Sequence, residues 1–214
     1  MNIFWDWNGT VCNDLQLSFD AVNHMLHRRG RAPITMEQYY SYIDTPISKF
    51  YEHLFDFAVE PMSVLGSEFN SYYRSNAHKL CITDGVLEVI KALHGAGARQ
   101  FILSSSHKST ILPLAESWGI LPYFESVLGA EDWSVGPKDE RARCFCCENG
   151  LCPEETWFIG DLLHDLETAR LCGASCLLLP IGHQSTHDLQ TAGESFCSSV
   201  AEILHRIGIK EVKP

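Results

Sequence analysis

Acidic and hydroxyl residues follow three short apolar runs of the chain. Asp6 comes directly after Asn-Ile-Phe-Trp, Ser104 after Phe-Ile-Leu, and Asp161 after Trp-Phe-Ile-Gly. Asp165 lies four residues beyond Asp161, and Lys138 lies between the last two runs. A carboxylate can attack phosphorus only when the negative charge of both partners is neutralised, which calls for Mg²⁺ on oxygen ligands and a cation on the phosphoryl oxygens. These residue types supply what that chemistry needs.

Short apolar runs alternate with helix-like stretches along most of the chain, which predicts an α/β protein. The runs are typical of strands buried on both faces of a parallel sheet and lie at residues 1–6, 101–103, 127–128, 156–159 and 176–179. Helical patterns lie at residues 85–94, 109–118, 139–148, 164–171 and 199–207. Because ligands of open parallel sheets bind at the carboxyl ends of the strands, we expect the acidic residues, the serine and the lysine to converge.

Residues 14–82 interrupt this alternation. They contain helical patterns at 17–29 and 63–74, are rich in tyrosine and phenylalanine, and offer no convincing strand. We interpret them as a helical cap domain inserted into a core of residues 1–13 and 83–214. The predicted fold is therefore a doubly wound parallel α/β sheet with an inserted helical cap.

The composition excludes several classes of protein. The chain of 214 residues has 45% hydrophobic and 20% charged residues, which is typical of a soluble globular protein. No run approaches the roughly 18 consecutive apolar residues that a membrane span needs. The net charge of −11 argues against a nucleic-acid partner, because such a protein needs a concentrated basic face. The oligomeric state stays open between monomer and dimer.

The nine cysteines and the lack of a signal-peptide pattern predict a reducing, cytoplasmic location. Cys144, Cys146, Cys147 and Cys152 form a dense patch with one Cys-x-x-Cys pair. A structural zinc site usually needs a second pair of ligands, and none follows here. Free thiols are therefore favoured over a zinc site.

Four ordered motifs resemble those of the haloacid dehalogenase-like hydrolases, in the branch similar to phosphoglycolate phosphatase. They are Asp6-Trp-Asn-Gly-Thr10, Leu103-Ser104-Ser105, Gly136-Pro-Lys138 and Gly160-Asp161-Leu-Leu-His-Asp165. The resemblance runs from residue 1 to about residue 180, and the helical insert lies where that branch has its cap domain.

The resemblance implies a Mg²⁺-dependent phosphatase that acts on a small phosphorylated metabolite. Asp6 would be the nucleophile and form an aspartyl-phosphate, and Lys138 would stabilise the phosphoryl charge and keep Asp6 ionised. The implied metal ligands are Asp6, the backbone carbonyl of Asn8, Asp161 and Asp165. The implied substrate contacts are Ser104, Ser105, Gly9 and Thr10.

Asn8 departs from the family pattern, in which an aspartate at this position protonates the leaving oxygen and then activates water. An amide cannot exchange a proton in this way.

Three interpretations of Asn8 stay open. The protein could be a slow or specialised phosphatase in which His107, His164 or a cap residue supplies the proton. It could instead bind a phosphorylated ligand without turnover, or be a relative with other chemistry. Dehalogenation is disfavoured because Asp161 and Asp165 retain a metal site. A phosphoryl-transfer mutase is a further alternative, and spontaneous deamidation of Asn8-Gly9 is a hypothesis that a peptide mass across residue 8 tests.

Other polar and aromatic residues have structural interpretations beside functional ones. Arg28 is a candidate substrate contact because it lies with His24 and His27 at helical spacing, although any amphipathic helix shows such spacing. We expect His107 to begin a helix. The remaining predictions are that Trp5, Trp7, Tyr39, Tyr40 and Tyr42 are packing residues and that His183 and His187 lie in a loop before the last helix.

Overall fold

A parallel sheet forms the centre of the protein, in a computed structural model that describes residues 1–131 and 137–209. The strands are β1 (Asn2–Trp5), β2 (Cys12–Asn13), β3 (Cys81–Ile82), β4 (Arg99–His107), β5 (Ser126–Ala130), β6 (Thr156–Gly160) and β7 (Ser175–Leu178). The five-stranded sheet has the order β5-β4-β1-β6-β7, and every neighbouring pair is parallel. Because β1 is the middle strand, Asp6 lies at the centre of the sheet's carboxyl edge.

Helices cover both faces of this sheet. The α-helices are α1 (Leu15–Arg28), α2 (Met36–Tyr42), α3 (Ser48–Glu52), α4 (Met62–Ser75), α5 (Val86–Gly95), α6 (Lys108–Ser117), α7 (Lys138–Glu148), α8 (Leu163–Leu171), α9 (Thr186–Gln190) and α10 (Glu202–Ile207). Short 3-10 helices lie at Ala77–Lys79, Leu121–Tyr123, Pro153–Glu155 and Gly193–Ser195. One face packs against α5, α6 and α10, and the other against α7, α8 and α9. The predicted doubly wound α/β fold is confirmed.

The side chains of β1 alternate between these two layers, as a strand requires. Ile3 and Trp5 are buried in the α5 layer, and the Trp5 indole donates a hydrogen bond to Gln100 at 3.0 Å. Phe4 is buried in the other layer, where its ring stacks on Phe158 with a centroid distance of 4.7 Å. Because β1 is held from both faces and by both neighbouring strands, the position of Asp6 is rigidly set.

The insert folds as predicted into helices, α1 to α4, around an apolar cluster of its own. It leaves and re-enters the core through the antiparallel ribbon of β2 and β3, in which Cys12 pairs with Ile82. The expectation of no strand in residues 14–82 is therefore wrong at one end, because a two-residue strand is too short to show an alternating pattern. The assignment of 14–82 as a separate domain stays a prediction.

The strand β4 is longer than the predicted run at 101–103. It continues through Ser104, Ser105 and Ser106, with an irregular register before His107 pairs with Ala130. These serines lack the apolar signal of a strand, so sequence reasoning missed the extension. Gly136 of the third motif lies outside the described residues. Within the described part of the chain, no helix is long and apolar enough to cross a membrane.

Candidate active site

The carboxylates of Asp6, Asp161 and Asp165 meet at the carboxyl edge of the sheet. Asp6 follows β1, Asp161 follows β6, and Asp165 lies in the first turn of α8. One oxygen of each lies within 4.8 Å of the others, and all three side chains are buried. The sequence predicted this convergence from strand ends, and the geometry follows from the order of β1 and β6 as neighbours.

Lys138, the first residue of α7, is buried between two of these carboxylates. Its ammonium group donates a hydrogen bond to Asp6 and another of 2.7 Å to Asp165 Oδ1. Burial by itself lowers the pKa of a lysine, but the charges of Asp165 and Asp6 outweigh it and raise the pKa of Lys138. The lysine is therefore fully charged at neutral pH.

Lys138 does not balance all the negative charge of the cluster. Burial raises the pKa of Asp6 well above its ordinary value, although Lys138 opposes the shift. Burial likewise raises the pKa of Asp161. A buried group of carboxylates with one lysine therefore has room electrostatically for a further cation.

The donor set fits a hard divalent cation such as Mg²⁺, which prefers carboxylate and carbonyl oxygens and retains several waters. The carboxylate of Asp161 is held by hydrogen bonds from Thr10 Oγ1 at 2.9 Å and from the backbone N–H of His183 at 2.6 Å. A Cβ at Gly9 or Gly182 would overlap this same carboxylate. Close backbone packing therefore fixes the orientation of Asp161.

The side chain of Asn8 is fully hydrogen-bonded. Its amide nitrogen donates to Asp14 Oδ2 at 2.7 Å and to Tyr73 Oη at 3.2 Å, and its carbonyl oxygen accepts from Ser106 Oγ at 2.5 Å. Ser104 Oγ lies 3.5 Å from the same oxygen. Asn8 thus joins the loop after β1 to β4 and to α4 of the insert.

The serines after the second apolar run differ in their surroundings. Ser104 is buried, whereas Ser105 is exposed and makes no side-chain hydrogen bond within the described residues. Ser106, which the sequence analysis did not select, bonds Asn8. The substrate contacts predicted for Ser104, Ser105, Gly9 and Thr10 stay predictions. The backbone N–H of Gly9 bonds Asp14, and that of Thr10 bonds the carbonyl of Trp7.

Asp14 and His183 belong to this site, and sequence reasoning missed both. His183 Nε2 lies 3.1 Å from Asp14 Oδ1, and its Nδ1 lies 3.0 Å from the hydroxyl of Tyr39 on α2. Both residues are buried. The available signal for His183 was its place after β7, at the same carboxyl edge of the sheet; Asp14, which follows β2, had no comparable signal.

The Asp14 and His183 side chains form an ion pair. Burial would lower the pKa of His183, but the charge and hydrogen bond of Asp14 outweigh it and raise the pKa to about 9. Burial would raise the pKa of Asp14, but the charge of His183 and hydrogen bonds from His183, Asn8 and Tyr73 lower it. Both groups are therefore charged at neutral pH.

The other candidate residues make contacts elsewhere. Arg28 is largely exposed and pairs with Glu68 on α4, so its substrate contact stays a prediction without a supporting contact. His107 caps the start of α6, close to the expected helix start, and its ring bonds Ser109. His164 pairs with Glu167. Among the described residues, the carboxylate cluster is the group whose ligand atoms lie close enough together to hold a metal.

A cleft of about 860 Å³ opens beside the site, between α2 and the loop after β7. Tyr40 lines it, and burial together with the charge of Asp161 raises the pKa of this tyrosine. Glu37 and Asp188 lie in its wall, and the described residues that line it include neither lysine nor arginine. The wall of the cleft therefore carries negative charge.

The ion pair predicts how stability depends on pH. The pKa of His183 rises from an ordinary value of about 6.5 to about 9 in the folded protein. The contribution of the ion pair to the free energy of unfolding is therefore complete below the ordinary pKa, and it is lost as the pH rises through the folded-state pKa. The stabilisation of the metal-free protein by His183 is the difference in free energy of unfolding between wild type and His183→Gln. We expect this difference to be larger by about 3 kcal/mol at pH 6.5 than at pH 10. Urea unfolding measures this difference, with exposed His78→Gln as the matched control. A difference that is the same at both pH values would contradict the ion pair.

Comparisons with known proteins agree with the fold and with the motifs. A phosphoglycolate phosphatase of Nitrosospira multiformis is 26% identical over 208 residues, which cover 94% of this chain and 90% of that protein. A 5'-nucleotidase of Pseudomonas aeruginosa is 22% identical over 94% of this chain and 93% of its own length.

A solved hydrolase of the haloacid dehalogenase-like family from Streptococcus pneumoniae superposes with a TM-score of 0.82 at 18% identity, over 95% of this chain and 96% of that one. The family model described as haloacid dehalogenase-like hydrolase matches residues 3–179. The predicted resemblance and the prediction of a hydrolase of this kind are confirmed. The chain belongs to the haloacid dehalogenase-like hydrolases.

Proposed function

We propose that the protein is a Mg²⁺-dependent phosphatase that hydrolyses the phosphomonoester of a small metabolite. The observation that carries the proposal is the position of Lys138, which bonds both Asp6 and Asp165 beside the carboxylate of Asp161. The names of the relatives, phosphoglycolate phosphatase and 5'-nucleotidase, describe phosphomonoester hydrolysis and support it. No membrane or nucleic-acid partner is part of the proposal.

Asp6 is the nucleophile in this proposal. Its carboxylate oxygen forms a bond to phosphorus while the bond from phosphorus to the leaving alcohol breaks, which leaves an aspartyl-phosphate. The leaving oxygen takes a proton from solvent. Water then attacks phosphorus and loses a proton to solvent while the bond between phosphorus and Asp6 breaks, which releases inorganic phosphate and restores Asp6. Lys138 opposes the rise that burial causes in the pKa of Asp6, and it donates to the phosphoryl oxygens as their charge develops. Ser104 contributes a further hydrogen bond to these oxygens.

Mg²⁺ would be held by Asp6, Asp161, the backbone carbonyl of Asn8 and Asp165, the last directly or through water. When bound, the ion supplies charge neutralisation between the phosphoryl group and the attacking carboxylate. Thr10 and the backbone of His183 keep Asp161 oriented toward that position.

Cap closure would exclude water and select the substrate. The contact between Tyr39 of α2 and His183 of the core joins the insert to the edge that carries the site. The tyrosine therefore acts at the boundary across which the cap of residues 14–82 would close.

Asn8 limits the rate with poor leaving groups. An amide whose donors already bond Asp14 and Tyr73 cannot protonate a leaving alkoxide. General acid catalysis contributes about 10² to 10⁴ in rate, so substrates with acidic leaving groups are favoured. The same saturation of Asn8 favours, as a second candidate function, binding of a phosphorylated ligand with little turnover.

The cleft beside the site is where we propose that the group attached to the phosphate binds. Glu37 and Asp188 in its wall would disfavour a second negative charge on a substrate bound there. We infer that the leaving group is neutral or cationic, unlike the carboxylate-bearing glycolate of the relatives' name.

Phosphate release from p-nitrophenyl phosphate tests the activity. We expect Mg²⁺-dependent turnover by the wild type and a loss on the order of 10³-fold or more in Asp6→Asn, because the nucleophile is removed. Lys138→Met is expected to lose about 10² to 10³-fold. Exposed Asp84→Asn and Lys91→Met are the matched controls and should retain wild-type rates. Equal rates in wild type and Asp6→Asn would refute the proposal.

A comparison of two small substrates tests the effect of the cleft. We expect kcat/KM for phosphoethanolamine to exceed that for phosphoglycolate by about tenfold, because of the acidic wall. Glu37→Gln should raise kcat/KM for phosphoglycolate selectively, whereas exposed Glu88→Gln should not. A preference for phosphoglycolate in the wild type would show that the cleft charge does not select the substrate.

A further inference from the structure

Asn8 has no hydrogen-bond donor left for a substrate. Both protons of its amide group are used, by Asp14 and Tyr73, and its oxygen accepts from Ser106. The orientation of the amide is unambiguous because a carboxylate only accepts hydrogen bonds, so the nitrogen must face Asp14. The side chain therefore acts on its surroundings and not on the reacting atoms.

Asp14 is a buried carboxylate surrounded by donors. Its Oδ1 accepts from the backbone N–H of Gly9 at 2.7 Å and lies 3.1 Å from Nε2 of His183. Its Oδ2 accepts from the amide of Asn8 and from the hydroxyl of Tyr73 at 2.9 Å. The side chain is 1% exposed, so each of these donors compensates for lost water.

These contacts reach both ends of the site. Asp14 holds the Asn8-Gly9 backbone, which follows the nucleophile by two residues, and it holds His183, whose backbone N–H bonds Asp161. A shift of Asp14 would therefore move the loop of the nucleophile and the support of Asp161 together.

We infer that Asn8 and Asp14 are a matched pair of positioning residues: Asp14 requires a hydrogen-bond donor at position 8, and the pair together fixes the loop that carries Asp6. The catalytic part of this inference rests on the proposed phosphatase function. The pairing itself rests on the hydrogen bonds and the burial alone.

Restoring at position 8 the carboxylate that other family members have there would break the contact with Asp14. In the wild type the 2.7 Å contact joins a donor on Asn8 to an acceptor on Asp14. In Asn8→Asp the same contact would join two carboxylates, one of them buried. Two like charges so close together repel strongly. The exchanged pair, Asn8→Asp with Asp14→Asn, reverses the direction of the hydrogen bond and restores it, and the amide oxygen introduced at position 14 can still accept from Gly9 and His183.

A double-mutant cycle tests the pair in the full chain. Wild type, Asn8→Asp, Asp14→Asn and the double variant are compared by urea unfolding without metal and by kcat and KM with p-nitrophenyl phosphate and Mg²⁺. Exposed Asn149→Asp and Asp84→Asn are the matched controls for the two chemical changes. Tyr73→Phe removes one hydroxyl between the two residues without changing charge.

We expect each single variant to lower the folded-to-unfolded ratio at least tenfold and to lower kcat more than it changes KM. The double variant should recover at least tenfold in both quantities relative to Asn8→Asp. Tyr73→Phe should lower kcat severalfold. If a single variant does not fold, a folded double variant supports the pair and an unfolded double variant contradicts it.

The inference would be overturned if the double variant lost stability independently, so that its loss in the folded-to-unfolded ratio were the product of the two single losses. An Asn8→Asp variant as stable and active as wild type would also overturn it. A wild type no faster than Asp6→Asn would refute the proposed function instead. In that case the unfolding cycle alone decides whether Asn8 and Asp14 are paired.

Discussion

The site depends on one buried contact, in which the ammonium group of Lys138 lies between the carboxylates of Asp6 and Asp165. An unpaired buried charge costs several kcal/mol, so removing any one of these groups leaves the others in an unfavourable state. The contact brings together the end of β1 and the beginnings of α7 and α8. Any element that moved would break it, so the parallel sheet and its helical layers must hold these three ends rigidly.

The sheet meets this requirement through its strand order. β1 lies between β4 and β6, which places Ser104 of β4 and Asp161 after β6 on the two sides of Asp6. On one face Phe4 stacks on Phe158 and contacts the tilted ring of Phe101, with ring centroids 4.7 and 4.9 Å away. Packing of this density resists small displacements. The fold therefore supplies the precise geometry, and the side chains at its edge supply the charge.

A second layer of charge lies behind the first. Asp14 and His183 carry opposite charges in a buried position, and they contact the Asn8-Gly9 turn and Asp161. This layer also reaches the insert, through Tyr73 of α4 and Tyr39 of α2. The residues that orient the site are thus shared between core and insert, although the carboxylate cluster itself belongs to the core.

The strand ends could be predicted from the sequence, because a buried parallel strand is a short apolar run and its next polar residue lies at the carboxyl edge. This reasoning found Asp6, Ser104 and Asp161. It missed Ser106 because β4 continues through polar residues. Asp14 and His183 were missed for a different reason: they lie 169 residues apart in the chain, and no local pattern reports a long-range ion pair. Asn8 was recognised as a departure from the family, but its compensation by Asp14 was visible only once the hydrogen bonds were known.

Lys138 leaves the carboxylate cluster short of one cation, which the proposed Mg²⁺ would supply. The most direct test is the midpoint of thermal unfolding with increasing Mg²⁺, since a ligand that binds only the folded state raises it. We predict a saturable rise in the wild type that is abolished in Asp161→Asn and kept in exposed Asp84→Asn. No rise in the wild type, or the same rise in Asp161→Asn, would contradict the account.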